Sequence, residues 1–413
     1  MSAVRRPAWL TPGSRPLLIA VFSLSSTLGY VAMIQVLPVL LVPMADDLGV
    51  SRTAIAGAST VSTLVGALVA LPVGRLLDAR GGRALMTAGS AIGAAGVVAW
   101  SQAQSLTGLY TSFVLIGAAI VMSTYEAAFA VIVVTTTAEH RDRAILAITM
   151  IAGLATYLVY PVMGWMNTEF GWRTCLLILA AVMAGASIPA HLWAIPGGAA
   201  HRAQAPRREG SSLREVLRRK DFWLLLTSFV LQAASAAAFL LLVVTYLRDV
   251  GHSERVATSV PIVIGVLQVL SRLVLSTVAR RAPMESAAAF AFAAQGAGLA
   301  ILPLVGLSIP LTLLCVAAVG LGQGVSVIAR PSLVADRFGV AHFATVLAAI
   351  TVPMALARAG SPLLAAWLAD RRFLVLCGVA ALLGSLALLP LRTRRRPSPP
   401  PSEESVDLAP ATG

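Results

Sequence analysis

Charged side chains are scarce in this sequence, and their scarcity excludes an ordinary water-soluble domain. Only 12% of its 413 residues are charged, whereas 58% are hydrophobic. Soluble domains carry about 25% charged residues. A chain with so little polar surface could not cover its apolar side chains in water. It therefore needs a second solvent for its outer surface, and a lipid bilayer provides one.

Cysteine is also rare, and its few occurrences exclude a disulfide framework. Cys175, Cys315 and Cys377 lie in three different apolar runs, without the spacing of a metal site. We expect no metal, no cofactor and no catalytic centre, so the chain should not be an enzyme. A Walker lysine loop is absent as well, and ATP is therefore not expected to drive its function.

Acidic residues are outnumbered by basic ones, 18 to 31, which gives a formal net charge of +13. Such an excess can indicate binding to nucleic acid. Here the basic residues form short clusters between apolar runs, and no stretch mixes them with aromatic side chains. We therefore expect no nucleic-acid partner.

Long apolar runs fill most of the sequence. A bilayer core of about 30 Å needs roughly 20 apolar residues per helix, and the sequence offers a series of such runs, which we number spans 1 to 12. They run near residues 16–42, 53–72, 84–101, 106–136, 144–166, 174–195, 222–247, 256–278, 286–307, 309–333, 343–368 and 373–391. The sequence therefore predicts an all-α membrane protein with about twelve transmembrane helices.

The basic residues divide the connections between these spans into two sets. The termini and the even-numbered connections hold 22 of the 31 arginines and lysines, and the odd-numbered connections hold six. Arginine-rich connections stay in the cytoplasm. We expect a multi-pass protein of the bacterial inner membrane with both termini cytoplasmic.

A hydrophilic stretch at 197–220 divides the spans into six and six. We expect a cytoplasmic tail at 1–15, helical halves at 16–196 and 221–392 on either side of a cytoplasmic loop at 197–220, and a disordered cytoplasmic tail at 393–413. The halves echo each other at an offset of 202 residues, because Asp47–Ser51 (DLGVS) recurs as Asp249–Ser253 (DVGHS). Repeats of this kind are typical of secondary transporters.

The connection between spans 2 and 3 carries a motif. It reads GRLLDARGGR and resembles the signature Gly-x-Leu-x-Asp-Arg-x-Gly-Arg-Arg of the major facilitator superfamily. Ala79 replaces the first arginine of that signature. The resemblance implies two pseudo-symmetric six-helix halves and a cytoplasmic gate that contacts the other half in the outward-open state. The gate residues would be Gly74, Asp78, Arg80, Gly81 and Arg83. A tight basic turn without a gating role is the alternative.

Two further stretches resemble a bacterial subgroup near the monocarboxylate and oxalate–formate carriers. One is Tyr125–Phe129 (YEAAF) in span 4, and the other is Gly171–Arg173 (GWR) before span 6. Phe113 stands where drug:proton antiporters of the superfamily carry an arginine, which weakens a multidrug interpretation.

Glu126, Arg272 and Arg358 are predicted to lie well inside spans, where an ionisable group is costly and indicates function. The resemblance to monocarboxylate-type carriers implies that Arg272, with Gln268 one turn earlier on the same face, holds a substrate carboxylate. Arg358 resembles a second basic residue of oxalate-type carriers. Snorkelling of Arg272 to the surface and a structural ion pair between Arg358 and Glu126 are the alternatives.

Glu126 is the acid that we assign to proton coupling. Burial favours the protonated form of a carboxyl group, and a neighbouring arginine favours the charged form. Permanent ion pairing is the other interpretation.

Arg330 stands near the predicted end of span 10, and we interpret it as a helix-end arginine. Tyr30, Tyr125 and Gln323 complete the candidate binding site, because spans 1, 4 and 10 line the cavity in this superfamily; each could instead satisfy a neighbouring helix.

Together these observations predict a monomeric secondary transporter that moves a small organic anion, a carboxylate, by alternating access with proton coupling. Its partners would be a small-molecule substrate, protons and the lipid bilayer. Two alternatives stay open. One is proton-driven efflux of a drug or amphiphilic natural product, and the other is a transport-inactive membrane sensor.

Overall fold

The computed structural model describes residues 15–198, 210–278, 282–368 and 371–391. Helices lie at all the predicted places, and the predicted all-α membrane fold is confirmed. Their bounds are Arg15–Leu48 (span 1), Arg52–Arg80 (span 2), Gly82–Ser101 (span 3), Leu106–Thr135 (span 4), Ala138–Ala194 (spans 5 and 6), Lys220–Asp249 (span 7), Glu254–Val278 (span 8), Met284–Val305 (span 9), Ile309–Phe338 (span 10), Phe343–Leu368 (span 11) and Arg371–Leu388 (span 12). A short helix, Leu213–Leu217, precedes span 7. Both predicted tails lie almost wholly outside the described residues.

The outer surface of these helices is apolar. In the described part of the chain, 10 helices are long and apolar enough to cross a membrane. Large apolar side chains such as Leu68, Leu304 and Leu307 are about four-fifths exposed, at 78%, 84% and 80%. Apolar exposure on this scale is unfavourable in water and favourable in lipid. The protein is therefore a multi-pass membrane protein.

Three helices are interrupted, and two of the interruptions lie in the middle of a span. Span 1 contains a π-helical segment at Val31–Gln35. Span 4 is broken at Thr124, whose dihedral angles (φ −105°, ψ −147°) are not helical. Spans 5 and 6 form one helix broken only at Gly171 (φ 74°, ψ 160°), where the sequence predicts a longer connection. A single glycine suffices there because it adopts a positive φ without steric cost.

The two ends of the helix bundle differ in how the halves meet. We call the end that holds the connections between spans 2 and 3, 4 and 5, and 10 and 11 the arginine-rich face, and the other end the opposite face. Near the arginine-rich face one continuous apolar cluster joins both halves, from Leu18 and Phe22 of span 1 to Phe338 and Phe343. Towards the opposite face the apolar core separates into one cluster within each half. The halves are therefore closed together at the arginine-rich face.

The internal repeat has a structural counterpart. Gly49 and Gly251 follow the ends of spans 1 and 7 and have positive φ angles of 64° and 103°. Glycine is the residue that ends a helix in this conformation most readily. The two DLGVS-like segments thus end equivalent helices in the two halves.

Candidate functional site

An ion pair between the halves lies at the centre of the bundle. Arg330 Nη2 of span 10 lies 3.2 Å from Glu126 Oε1 of span 4, and Arg330 Nη1 donates a hydrogen bond of 3.0 Å to Thr351 Oγ1 of span 11. The interpretation of Arg330 as a helix-end residue is wrong, because span 10 continues for about two further turns to Phe338. Arg330 is instead a buried arginine that joins three spans.

The helix breaks place two tyrosines and the glutamate at this centre. Tyr125 and Glu126 begin the second segment of span 4, Tyr125–Thr135, so the Glu126 carboxylate lies at the positive end of that helix. Tyr30 ends the first segment of span 1. The rings of Tyr30 and Tyr125 are 5.8 Å apart between centroids. Local backbone irregularity thus positions the polar groups of the first half.

Arg358 lies beside the same residues. It is near the middle of span 11, yet its side chain is exposed, and it interacts electrostatically with Arg330, Tyr30 and Glu126. An exposed arginine that faces residues of three other spans lines an open space between them. We call Tyr30, Tyr125, Glu126, Arg330 and Arg358 the central cluster. Within it, the ion pair of Glu126 is made with Arg330.

Arg272 joins the two halves at a different point. Its guanidinium Nη1 donates a hydrogen bond of 2.7 Å to the backbone oxygen of Thr149 in span 5. Gly153, one turn further along span 5, leaves room for it, since a Cβ atom there would lie 3.1 Å from Nη1. Arg272 is buried and also interacts electrostatically with Tyr30 and Tyr125. The Arg272 side chain is thus directed into the helix bundle and does not snorkel to the membrane surface.

The two glutamines of the candidate site are half-buried. The Gln268 backbone oxygen accepts a hydrogen bond of 2.8 Å from Ser271 Oγ. The side-chain nitrogen of Gln323 is buried, and within the described residues it makes no hydrogen bond. A buried donor left without an acceptor costs free energy, so the side-chain amide of Gln323 has unused hydrogen-bonding capacity.

The motif between spans 2 and 3 contacts the other half directly. Asp78 Oδ1 accepts a hydrogen bond of 3.0 Å from the Ala344 amide. Asp78 Oδ2 accepts hydrogen bonds from the Thr345 amide (2.8 Å) and the Thr345 hydroxyl (2.6 Å). Ala344 and Thr345 belong to the first turn of span 11, where helical amides have no partner within the helix. Asp78 therefore caps a helix of the opposite half.

The other motif residues are placed as follows. A Cβ atom on Gly74 would lie 2.7 Å from the Ala344 carbonyl oxygen, so only glycine permits this approach of span 2 to span 11. Gly81 has a φ of 80° and makes the turn between spans 2 and 3. Arg80 and Arg83 are exposed at the arginine-rich face.

Two further contacts close the arginine-rich face, and neither was predicted. Arg141, at the start of span 5, forms an ion pair with Asp336 near the end of span 10. Asp142 Oδ1 accepts a hydrogen bond of 2.6 Å from Ser332 Oγ. The run Arg141-Asp142-Arg143 at the start of span 5 is visible in the sequence, but the partners of Arg141 and Asp142 lie 195 and 190 residues further along the chain.

Near the opposite face, the side-chain contacts found among the described residues stay within one half. Arg173 of span 6 lies 2.7 Å from Asp47 at the end of span 1, and its Nη1 donates to the backbone oxygens of Ser101 and Ala103. In the second half, His252 contacts the Gly306 backbone oxygen. These contacts stabilise each half internally and do not join one half to the other.

A cavity of about 240 Å³ lies between spans 1, 2, 4 and 11. Gly74, Leu77 and Ala344 line it next to the Asp78 contact, and Glu126 and Thr351 line it next to the central ion pair. The cavity therefore connects the central cluster with the closed arginine-rich face.

Apolar helices form two halves that are closed together at the arginine-rich face and enclose a central ion pair, as expected of a membrane transporter. The Major Facilitator Superfamily family model matches residues 17–362, and the chain belongs to this family. The comparison with curated proteins found no match.

Solved structures share the fold. The human organic anion transporter MFSD10 (TETRAN) superposes with a TM-score of 0.70 at 18% sequence identity, over 93% of this chain and 100% of that chain. A bacterial homologue of the iron transporter ferroportin, in an outward-facing state, superposes with a TM-score of 0.71 at 14% identity, over 92% and 99% of the two chains.

Proposed function

We propose that this major facilitator transporter carries a small organic anion, with a carboxylate group, and couples its movement to protons. The observation that carries the proposal is the charge of the central cluster. Arg330 pairs with Glu126, and Arg358 interacts electrostatically with both of them. Arg272 interacts electrostatically with Tyr30 and Tyr125, and Glu126 is the acid of this group. Unbalanced positive charge inside a membrane protein is costly, and a bound anion would offset it.

Arg358 and Arg330 are the residues that we assign to the anion. Guanidinium groups bind carboxylates with two parallel, charge-assisted hydrogen bonds. Arg358 is exposed to the space between the halves and is available to an entering substrate. Tyr30, Tyr125 and Gln323 would supply neutral hydrogen bonds, and Gln268 would support Arg272.

The Glu126–Arg330 pair supports a simple form of proton coupling. When Glu126 is charged, it competes with a substrate carboxylate for Arg330, from which it is 3.2 Å away. When Glu126 takes up a proton, its attraction for Arg330 falls, and Arg330 becomes available to the substrate. Proton uptake and anion binding would then favour each other, as linked binding requires.

Alternating access is supported by the two faces of the bundle. The halves are latched at the arginine-rich face by Asp78 and by Arg141–Asp336. If this face is cytoplasmic, as the arginine distribution predicts, the structure corresponds to an outward-facing state. The Gly74, Asp78 and Gly81 contacts would then form the cytoplasmic gate, with Arg80 and Arg83 at its rim.

The similar structures are transporters, as this proposal requires, but they differ from each other in what they transport. One of them is an organic anion transporter, in line with the proposal, and the other is a homologue of an iron transporter. At 18% and 14% identity they share the fold with this chain, and our proposal for the substrate class rests on the local charges.

The proposal is tested by flux of a carboxylate panel into proteoliposomes. We expect Arg358→Gln to raise the KM for the transported anion by about tenfold or more, whereas Arg52→Gln, an exposed arginine at the opposite face, should behave as wild type. Glu126→Gln should keep anion exchange and lose its acceleration by a proton gradient. Full anion flux in Arg358→Gln would contradict the anion assignment, and unchanged gradient dependence in Glu126→Gln would contradict the coupling.

A further inference from the structure

The cavity between spans 1, 2, 4 and 11 differs in chemistry from the central cluster that it adjoins. Among its lining residues Glu126 is the ionisable one, and almost all others are apolar or small. Two hydroxyl groups of its span 2 wall are already satisfied, because Ser59 Oγ donates to the Ala56 oxygen (2.7 Å) and Thr63 Oγ1 to the Ser59 oxygen (2.9 Å). This wall therefore offers contact surface and little polarity.

The polar end of the cavity is the central ion pair. Glu126 and Thr351 both line the cavity, and both contact Arg330. A ligand that reaches from the cavity to this end would thus have an apolar part against spans 2 and 11 and a polar group beside Arg330. Binding pockets of this composition, mostly apolar with a few placed polar groups, are typical of sites for organic molecules.

We propose that this cavity, the span 2–11 cavity, binds the apolar part of the transported substrate. The substrate is therefore an amphiphilic organic anion, with one aromatic ring or a short acyl chain, and its carboxylate lies at Arg330 and Arg358. This inference rests on the proposed function and narrows its substrate class. It excludes the smallest fully polar anions as the preferred substrate.

The size of the cavity supports one ring or a short chain. An apolar cavity of about 150 Å³ is enough to hold benzene, and this one measures about 240 Å³. Small side chains leave room for the cavity, because Ala67 and Ala70 of span 2 and Ala348 of span 11 are among the residues that line it. A larger residue at any of these positions would fill the cavity.

The cavity also depends on the conformation of the protein. Its walls come from span 2 of one half and span 11 of the other, and its floor is the Gly74–Ala344 approach. When the halves separate at the arginine-rich face, this floor opens and the walls move apart. An occupant of the span 2–11 cavity would therefore bind the present conformation best and leave as the latch opens.

The test is a binding series on the purified full-length protein in lipid nanodiscs, with acetate, butyrate, hexanoate and benzoate as probes. In wild type we expect affinity to rise by about fourfold for each CH₂ group that leaves water, and benzoate to bind more tightly than acetate.

Ala67→Leu and Ala348→Leu fill the cavity from opposite halves. Each should weaken hexanoate and benzoate binding by about tenfold and leave acetate binding unchanged. Leu68→Phe adds volume on the same helix at a residue that is 78% exposed, and it should match wild type.

The outcomes separate this inference from the proposed function. Equal affinities along the series in wild type, or unchanged hexanoate and benzoate binding in both filled variants, would overturn the inference while leaving an anion site at the arginines. A phospholipid that co-purifies with wild type and is lost in both filled variants, with the carboxylate affinities unchanged, would overturn it in favour of a lipid tail. If no carboxylate binds, acetate included, or if Arg358→Gln leaves all affinities unchanged, the proposed function fails together with the inference.

Discussion

The Asp78 carboxylate accepts hydrogen bonds from both the amide and the hydroxyl of Thr345, at 2.8 and 2.6 Å, across the boundary between the two halves. A charged group at the first turn of a helix is stabilised by the free amides and by the helix dipole. The latch at the arginine-rich face is thus a helix cap supplied from the other half. We expect its strength to set the balance between the closed and open states of this face.

Asp78→Asn should weaken the latch. The amide keeps the shape of the side chain and loses its charge, so we expect a loss of about 2 kcal/mol, or ~30-fold in the closed-to-open ratio. Spin labels at Arg80 and Arg218, which are exposed on the two halves, would report a longer mean distance by electron resonance. Asp46→Asn, an exposed acid at the opposite face, is the matched control. An unchanged distance distribution in Asp78→Asn would refute the latch.

Gly74→Ala should keep the arginine-rich face from closing. The added methyl group would meet the Ala344 carbonyl oxygen at 2.7 Å and the Thr345 Cα at 3.1 Å, and backbone atoms of a helix cannot move aside cheaply. The same label pair should therefore show the open state enriched, with a fall in transport rate. Gly185→Ala serves as the control, since a Cβ there meets nothing within 4 Å. Wild-type distances in Gly74→Ala would show that the two spans have room to adjust.

The Glu126–Arg330 pair should show energetic coupling in a double-mutant cycle. We expect the thermal stabilities of Glu126→Gln, Arg330→Gln and the double variant to give a coupling free energy of about 1–3 kcal/mol, because removal of one partner leaves a charge within the bundle. The exposed pair Arg173–Asp47, with side chains 38% and 46% accessible, should give about 0.2–1 kcal/mol. Additive effects at Glu126 and Arg330 would mean that the pair is not a stable feature.

Arg272 and Arg358 should respond differently to substitution. Arg272 holds span 8 to the Thr149 oxygen of span 5, so Arg272→Ala should change the populations of the two conformations, measured with the labels described above. Arg358 faces open space, so Arg358→Ala should change substrate affinity and leave those populations nearly unchanged. If the two variants exchange these phenotypes, the division of roles between the arginines is wrong.

The arginine distribution predicts the sidedness of the protein, which can be measured by labelling single cysteines. A cysteine at Arg143, which is exposed at the arginine-rich face, should react with a membrane-impermeant maleimide only in inside-out vesicles. A cysteine at Gln104, exposed at the opposite face, should react in intact cells. The reverse pattern would invert the predicted topology and the direction in which the cavity opens.

Much of the fold could be predicted because the signals are local. A run of about 20 apolar residues specifies a membrane helix by its own hydration free energy, and span 11 was predicted with the bounds that it has. The motif from Gly74 to Arg83 was equally visible, since its glycines and its aspartate lie at fixed spacing within one short stretch of sequence. The end of span 10 was predicted five residues too early, because polar residues near Asp336 resemble a helix end when their partners are unknown.

By itself, the sequence determined that this chain is a helical membrane protein, where its helices lie and, with the exception of Arg330, which few charges lie within them. Only the tertiary structure decided which of those charges meet. Glu126 and Arg330 are 204 residues apart, and their pairing depends on the rotation and tilt with which two helices of different halves pack. Those quantities arise from the sum of many side-chain contacts across the bundle, and no local pattern in the sequence encodes them.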